Sequence, residues 1–354
     1  MDRKKPYMVL IFIQLIYTGM YVISKAAFDN GLNSYVFVFY RQVAASMLLV
    51  PLAIIFERKS APPLSFLVLL KIFMHALVGI TLSLNIYNIG LIYTSATVAS
   101  ATTNSVPVIT FFLAVLLRME RVNLKSLTGV AKASGVALCL AGVMTIAFYT
   151  GPHLNPLTHY HPFGHKTSST SIGHAHSKQN WIKGSFIMVA SNILWSLWLV
   201  LQGIVLKEYP SKLLLTTLQC SFSSVQSFIV AMVFERDTSR WKLRLDTGLL
   251  AVLYCGFIVT GVSFYLQTWC IEKEGPVFLA MSTPLALIFT IICSSCFLGE
   301  LIHLGSVLGG VLMVAGLYSV LWGKSKENVV CEPVNEDGKD SVEERGATSP
   351  FHRV

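Results

Sequence analysis

The sequence predicts an all-α membrane protein with ten transmembrane helices, arranged as two inverted five-helix repeats. Three observations lead to this prediction: the composition, the spacing of the apolar windows and an internal repeat. Hydrophobic residues make up 54% of the 354 positions and charged residues only 13%, whereas soluble domains carry about 25% charged residues. The composition is therefore that of a protein embedded in lipid.

Ten windows approach the roughly 20 apolar residues that a helix needs to cross a bilayer. The first begins near Tyr7, after the basic residues 3–5, and is longer than the roughly 7 to 15 residues of a signal-peptide core. We therefore expect it to be retained as the first span. The other nine windows begin near Tyr35, Phe66, Thr97, Leu127, Ile182, Leu213, Thr247, Pro276 and His303.

The distribution of basic residues among the loops predicts the orientation of the chain. Much of the net charge of +9 lies in short loops, and Lys and Arg accumulate on the cytosolic side of membrane proteins. In the first half, basic clusters at 3–5, 58–59 and 118–125 occupy alternate loops. We expect both termini in the cytosol, although residues 236–244 add four basic side chains to a loop that this orientation places outside. No nucleic-acid-binding module accompanies the charge, so no nucleic-acid partner is expected.

The two halves of the chain repeat each other. Phe56-Glu57-Arg58 recurs as Phe234-Glu235-Arg236, and in each half a proline-containing span is followed by a Glu and, nine positions later, by a Gly. Because five spans are an odd number, the second copy must enter the membrane from the opposite side, as in many secondary transporters. The predicted segments are a cytosolic N-terminus (1–6), a first repeat (7–148), a His-rich non-cytosolic loop (149–181), a second repeat (182–322) and a disordered cytosolic tail (323–354).

Pro107 and Pro284 lie at corresponding places in the two repeats, each inside a span and just after polar residues. Proline removes a backbone donor from a helix, and paired interruptions of this kind indicate a binding site near the bilayer midplane. The alternative is a tolerated kink lined by hydroxyl groups. We expect the fourth and ninth spans to line a transport route.

The ionisable residues deep in the predicted spans are all basic: Lys25, Arg41, His75 and Lys132. Such residues are costly in lipid and usually face the bundle interior. The cavity should therefore favour an anionic group, with a substrate carboxylate against Lys25 or Arg41; alternatively, Lys25 extends to the membrane interface. The polar and aromatic side chains expected to complete the binding site are Asn85, Asn88, Asn104, Trp195, Trp198, Gln202, Gln267 and Trp269.

His75 is the candidate for a proton-sensitive group, although a single histidine in a helix is more often a packed or hydrogen-bonded residue. Proton-coupled transporters generally need a titrating intramembrane group, usually Asp, Glu or His. Since no predicted span holds a deep carboxylate, we expect bidirectional facilitative transport without a coupling ion.

Two other classes of function stay open, and the His-rich loop bears on the first. A metal-ion carrier is one, because histidine tracts bind zinc, and a non-transporting membrane sensor is the other. An enzyme is not expected, since the spans contain neither a paired carboxylate nor an HExxH pattern, and no cofactor is expected. The weak candidate metal ligands in the loop are His159, His161, His165, His174 and His176.

Short motifs over nearly the whole membrane region occur in an order typical of one plant transporter family. They are Ser24-Lys25-Ala26-Ala27, Phe39-Tyr40-Arg41-Gln42, Tyr93-Thr94-Ser95-Ala96-Thr97, Leu194-Trp195-Ser196-Leu197-Trp198, Gly275-Pro276-Val277-Phe278, Leu298-Gly299-Glu300 and Leu321-Trp322-Gly323-Lys324. Together they resemble the plant nodulin-type EamA branch of the drug/metabolite transporter superfamily, which includes the UMAMIT and walls-are-thin-related proteins.

This resemblance implies two EamA repeats that move amino acids, or in some members auxin or other small metabolites, by alternating access. It also implies residence in the plasma membrane or the vacuolar membrane, and we expect the plasma membrane. Amino acids are the first expectation and indole-3-acetate is the alternative. The expected partners are a small-molecule substrate and the lipid bilayer, and a homo-oligomer is left open.

Overall fold

The computed structural model describes residues 5–57, 63–94, 96–119, 125–148, 153–154, 178–243, 246–297 and 302–330. These residues form helices joined by short turns, with one pair of two-residue strands. Strand β1 (His153–Leu154) pairs antiparallel with β2 (Ile302–His303), and His153 lies opposite His303. The five candidate metal ligands of the His-rich loop, and the C-terminal tail after residue 330, lie outside the described residues.

The first half of the chain contains seven helical pieces, two of which are joined by a π-helical segment, Leu77–Leu82. They are α1 (Lys5–Asp29), α2 (Ser34–Glu57), α3 (Phe66–Ala76), α4 (Ser83–Ile92), α5 (Ala96–Thr103), α6 (Val106–Leu116) and α7 (Leu127–Phe148).

The second half repeats this order, again with a π-helical segment in its third span, Tyr254–Ser263, and with a short 3₁₀ helix, Thr238–Trp241. Its helices are α8 (Lys178–Glu208), α9 (Lys212–Phe234), α10 (Thr247–Leu253), α11 (Phe264–Glu274), α12 (Pro276–Ala280), α13 (Thr283–Phe297) and α14 (Leu304–Val330).

Seven helices in the described part of the chain are long and apolar enough to cross a membrane, when α3–α4, α10–α11 and α12–α13 are each counted as one. Three shorter apolar helices, Val106–Leu116, Leu127–Gly142 and Val307–Gly323, lie where the sequence predicts the fourth, fifth and tenth spans. An all-helical bundle with seven candidate spans is therefore confirmed, and the count of ten stays a prediction.

Two hydrogen bonds between α2 and α9 relate the halves by a pseudo-two-fold axis. The Asn33 amide donates to the Glu235 carboxylate, and the Ser211 hydroxyl donates to the Glu57 carboxylate. Asn33 and Ser211 are 178 positions apart, as are Glu57 and Glu235. Equivalent residues thus exchange partners at opposite ends of an antiparallel helix pair, as the predicted inverted repeat requires.

The bundle has two faces that the helix ends define. The proximal face is the one at which α1 begins and α2 ends; there Lys71 pairs with Glu208 at 2.8 Å and Lys212 with Glu272 at 2.8 Å. The distal face is the one at which α1 ends and α2 begins; there the Asn30 amide donates to the Thr247 hydroxyl at 2.9 Å.

Helices α7 and α14 pack against each other through glycine. A Cβ atom built on Gly316 would lie 2.5 Å from the carbonyl oxygen of Gly135, so the two backbones are in direct contact. Small residues allow this approach in lipid, where burial of apolar surface does not drive helices together. The glycines therefore let α7 and α14 pack backbone against backbone.

Candidate functional site

The fourth and ninth spans are interrupted where their prolines predict. Helix α5 ends at Thr103 and α6 begins at Val106, while α12 ends at Ala280 and α13 begins at Thr283. Pro107 and Pro284 therefore occupy the first turn of the helix that follows each interruption, where a missing backbone donor costs least.

Each interruption is held by an amide side chain from the first span of the other half. The Asn192 amide donates to the Thr102 carbonyl at 2.8 Å and to the Ser105 hydroxyl at 3.2 Å. The Gln14 amide donates to the Ser282 hydroxyl at 2.6 Å. Gln14 and Asn192 are 178 positions apart, so equivalent residues perform the same task in the two repeats.

A cavity of about 50 Å³ lies beside the interrupted fourth span, in the distal half of the bundle. At roughly 10–15 Å³ for each water molecule, it has room for only a few waters. A solute therefore requires the walls to move apart. The lining residues are Tyr17, Met20, Tyr21, Arg41, Ser83, Leu84, Tyr87, Thr103, Ser191, Asn192 and Trp195.

Arg41 provides the positive charge of this cavity. It is 2% exposed, its Nε donates to the Thr260 hydroxyl at 2.7 Å, and its Nη1 approaches the Met20 sulfur at 3.7 Å. Within the described part of the chain, no carboxylate lies within 4 Å of its guanidinium. A buried charge without a counter-ion is costly, and an anionic ligand in the cavity would offset that cost.

Aromatic rings form much of the cavity wall. Tyr21 lies 6.4 Å from both Tyr17 and Tyr87 between ring centroids, and Trp195 stacks on Trp198 at 4.8 Å. The Gln267 amide donates to the Tyr17 hydroxyl at 2.9 Å, which fixes that ring at the cavity edge. The walls therefore suit a solute with an apolar or planar body.

A hydrogen-bonded layer closes the bundle between this cavity and the proximal face. The Gln219 amide donates to His75 Nδ1 at 3.0 Å and to Gln202 Oε1 at 2.7 Å, and the Gln202 amide donates to the Thr268 hydroxyl at 2.9 Å. His75 Nε2 lies 3.2 Å from the Trp198 carbonyl oxygen, to which it donates. Beyond the layer, a second pocket of about 420 Å³ opens beside Lys207 and Glu272 at the proximal face.

Replacing His75 by glutamine is expected to leave the response of flux to a proton gradient unchanged. In this layer the neutral imidazole donates from Nε2 and accepts at Nδ1, so protonation would place an N–H of His75 against the Gln219 amide donor. The measurement is solute efflux from liposomes with equal pH on both sides and with a gradient. Gradient-driven flux that His75→Gln abolishes would contradict this assignment.

The structure brings only some of the predicted site residues to the cavity. Arg41 and Trp195 line it. Lys25 does not, since it pairs with Asp29 at 2.9 Å near the distal end of α1. The remaining predicted residues do not line the cavity: Gln267 lies behind Tyr17, Trp198 and Gln202 lie in the proximal layer, Asn85, Asn88 and Asn104 are buried, Trp269 is half-buried, and Pro107 and Pro284 lie at the interruptions.

Several lining residues were missed by the sequence analysis. Tyr17 and Tyr21 are four residues apart on α1, and Ser83 and Tyr87 are four residues apart on α4. Residues with this spacing share one helix face. Polar pairs at i and i+4 within otherwise apolar spans are therefore the signal that would have indicated them.

Comparisons with known proteins agree with this architecture. A model of the EamA-like transporter family matches residues 4–148 and 182–322. WAT1-related protein At5g64700 of Arabidopsis thaliana is 56% identical over 330 residues, which cover 92% of each chain. Protein WALLS ARE THIN 1 of the same species is 40% identical over 330 residues, which cover 92% of this chain and 85% of that protein.

A solved structure supports the fold separately. A crystal structure of a protein with 14% sequence identity superposes with a TM-score of 0.61, covering 92% of this chain and 99% of that one. The family match spans both halves of the chain and places it among transporters rather than enzymes. The chain therefore belongs to the EamA-like transporter family, as a multi-pass membrane protein with two repeats.

Proposed function

We propose that the chain is a facilitator that moves small organic solutes bearing a carboxylate group, amino acids first among them, in both directions by alternating access. The observation that carries the proposal is Arg41, a buried cation that lines the cavity with no described carboxylate within 4 Å. A guanidinium fork suits a substrate carboxylate in shape and charge. The preference for amino acids rests on the resemblance to the UMAMIT and walls-are-thin-related branch of the family.

The arrangement of cavity and layer supports an alternating mechanism. The cavity lies in the distal half, and the layer of His75, Gln219 and Gln202 separates it from the pocket at the proximal face. A solute that enters from the distal side can leave on the proximal side only when this layer opens. Side-chain hydrogen bonds from Gln14 on α1 and Asn192 on α8 hold the two interruptions. Because these bonds can break and form again, the broken helices can move relative to α1 and α8.

The experiment is efflux from proteoliposomes that contain the purified protein and a panel of labelled amino acids and indole-3-acetate, with and without a proton gradient. Flux of several amino acids that is indifferent to the gradient would support a facilitator. A protein that moves no carboxylate under either condition would contradict the proposal. Transport of zinc ions by the same proteoliposomes would favour the metal-ion carrier instead.

Indole-3-acetate is the second candidate substrate, and the aromatic wall favours it. Trp195 and three tyrosines line the cavity with Arg41, and the described lining contains no acidic side chain that could pair with an amino-acid ammonium. An aromatic monocarboxylate fills such a site without leaving a charged group unpaired.

Replacing Trp195 by leucine is expected to separate these two substrates. Because an aromatic pair contributes about 0.5–1.5 kcal/mol beyond its burial, flux of indole-3-acetate should fall by roughly two- to tenfold while flux of alanine stays near the wild-type rate. The half-buried Trp269, replaced by leucine, is the matched control. An equal loss for both substrates would show that Trp195 serves only the fold.

The direction of the chain in the membrane is part of the proposal. We assign the proximal face to the cytosol and the protein to the plasma membrane. Cytosolic ends of membrane helices are enriched in Lys and Arg. The basic residues at helix ends on this face include Lys5, Arg118, Lys125 and Lys212. Accessibility of a terminal tag in intact and permeabilised cells checks the assignment.

A further inference from the structure

Gln219 is the repeat equivalent of Arg41. The two residues are 178 positions apart, the spacing that also separates Ser34 from Lys212, the first residues of α2 and α9. Arg41 lies seven residues from the distal end of its helix, and Gln219 lies seven residues from the proximal end of its own. The pseudo-two-fold axis therefore relates the cation of the cavity to the central amide of the proximal layer.

The surroundings of the two residues are also equivalent. Met20 contacts Arg41, and its equivalent, 178 positions later, is Trp198. Trp198 is tied to Gln219 through His75, whose ring stacks on the Trp198 ring at 6.0 Å. The proximal layer is thus the counterpart of the cavity, closed by packing.

Two polar atoms of the layer would gain hydrogen bonds in an open form. Gln219 Oε1 and Trp198 Nε1 are fully buried, and neither has a hydrogen-bond partner in the described part of the structure. An unpartnered buried donor or acceptor destabilises the state that holds it. An open layer, in which both atoms meet water or a solute, removes this cost.

We propose that Gln219 replaces Arg41 as the side chain that contacts the substrate carboxylate when the bundle opens to the proximal face. Inverted repeats alternate access when the two halves exchange conformations around a shared site. The exchange carries Arg41 into the closed layer and Gln219 into the open cavity. This inference rests on the proposed function and assigns Gln219 a substrate-binding role.

The inference predicts unequal affinities at the two faces. A carboxylate hydrogen-bonded to a guanidinium is held more strongly than one hydrogen-bonded to a neutral amide, by about tenfold in affinity. A facilitator performs no work, so Vmax/KM must be equal in the two directions. When the empty carrier reorients faster than the loaded one, we therefore expect KM and Vmax both to be about tenfold lower for uptake from the distal face than from the proximal face.

The test is the flux of one labelled carboxylate into a compartment that initially contains none (zero-trans flux), measured from each face. Cleavage of a terminal tag shows that the protein has a single orientation in the proteoliposomes. Four proteins are compared: wild type, Arg41→Gln, Gln219→Arg and the double exchange. Arg41→Gln should raise KM at the distal face until the two values agree. Gln219→Arg should lower KM at the proximal face, and the double exchange should reverse the wild-type ratio.

Gln219→Leu provides the test if arginine is not tolerated in the layer. It should raise KM at the proximal face only, whereas a purely structural residue would change both values together. Gln226→Leu is the matched control, since Gln226 is a buried amide on the same helix that bonds to Thr81 and to the Phe73 carbonyl. It should leave the ratio of the two KM values unchanged.

The outcomes separate this inference from the function on which it rests. Wild-type protein that moves no carboxylate would refute the proposed function. Wild-type protein that transports with equal KM from both faces, without acceleration by unlabelled solute on the far side, would overturn the role of Gln219 and leave the proposed function standing. A KM ratio that survives the double exchange would do the same.

Discussion

Replacing Arg41 by alanine is expected to lower carboxylate flux by about ten- to hundredfold while the protein still folds and inserts. Hydrogen bonds to a charged group contribute about 1.5–3 kcal/mol, and each 1.4 kcal/mol is a tenfold change in affinity. The fold should tolerate the change because it removes a buried charge that has no described carboxylate within 4 Å. Efflux at low solute concentration, normalised to the amount of folded protein in the liposomes, measures the effect.

Arg41→Lys and Lys25→Ala sharpen this experiment. Lysine keeps the charge but loses the planar fork, so it should restore only part of the flux. Lys25 pairs with Asp29 away from the cavity, so its alanine variant should transport like wild type. Full flux from Arg41→Ala, with loss of flux from Lys25→Ala, would reverse the assignment of the carboxylate site.

Replacing Gly316 by alanine is expected to destabilise the protein by about 1–3 kcal/mol, the usual cost of overpacking a well-packed interface. The new Cβ would lie 2.5 Å from the Gly135 carbonyl oxygen and 3.0 Å from the Cys139 backbone nitrogen. Neither backbone atom can move unless α7 and α14 separate along their length. The measurement is the melting temperature of the purified protein in detergent, determined from the loss of monodisperse protein on heating.

Gly310→Ala is the matched control for this substitution. Gly310 lies on the same helix, but the nearest atom to its added Cβ would be an Ile288 side-chain carbon at 3.9 Å, an ordinary van der Waals contact. The control should melt close to the wild-type temperature, or slightly above it because alanine favours the helix. Equal loss of stability in both variants would mean that the destabilisation comes from the change in α14 itself and not from the α7–α14 contact.

Much of the fold follows from patterns that the sequence carries locally. The apolar windows, the positions of Pro107 and Pro284 and the recurring Phe-Glu-Arg tripeptide predict membrane helices, two interruptions and an inverted duplication, and each of these is present in the described residues. Hydropathy does not distinguish a full span from a helix shortened by an interruption. The fourth span therefore forms a single apolar window in the sequence, although the structure divides it into two short helices, α5 and α6.

The site was predicted less well because a residue's depth does not specify its direction. Lys25 and Arg41 both lie in predicted spans, but one faces Asp29 near a helix end and the other faces the cavity. Likewise, Trp195 lines the cavity, while Trp198, three residues later, stacks behind it in the layer. Aromatic residues are common in apolar helices, so the sequence does not distinguish the cavity residues Tyr17, Tyr21 and Tyr87 from ordinary packing residues.

The order of residues along the chain is enough to indicate a helical membrane protein, its internal duplication and the basic character of its interior, because hydrophobicity, repeated motifs and charge can be read position by position. Which residues come into contact depends on how the helices pack. The packing of α2 against α9 sets Arg41 and Gln219 at equivalent depths from opposite faces. Arg41 faces the cavity and Gln219 faces the proximal layer because of how their helices are rotated about their axes. The packing of neighbouring helices fixes that rotation.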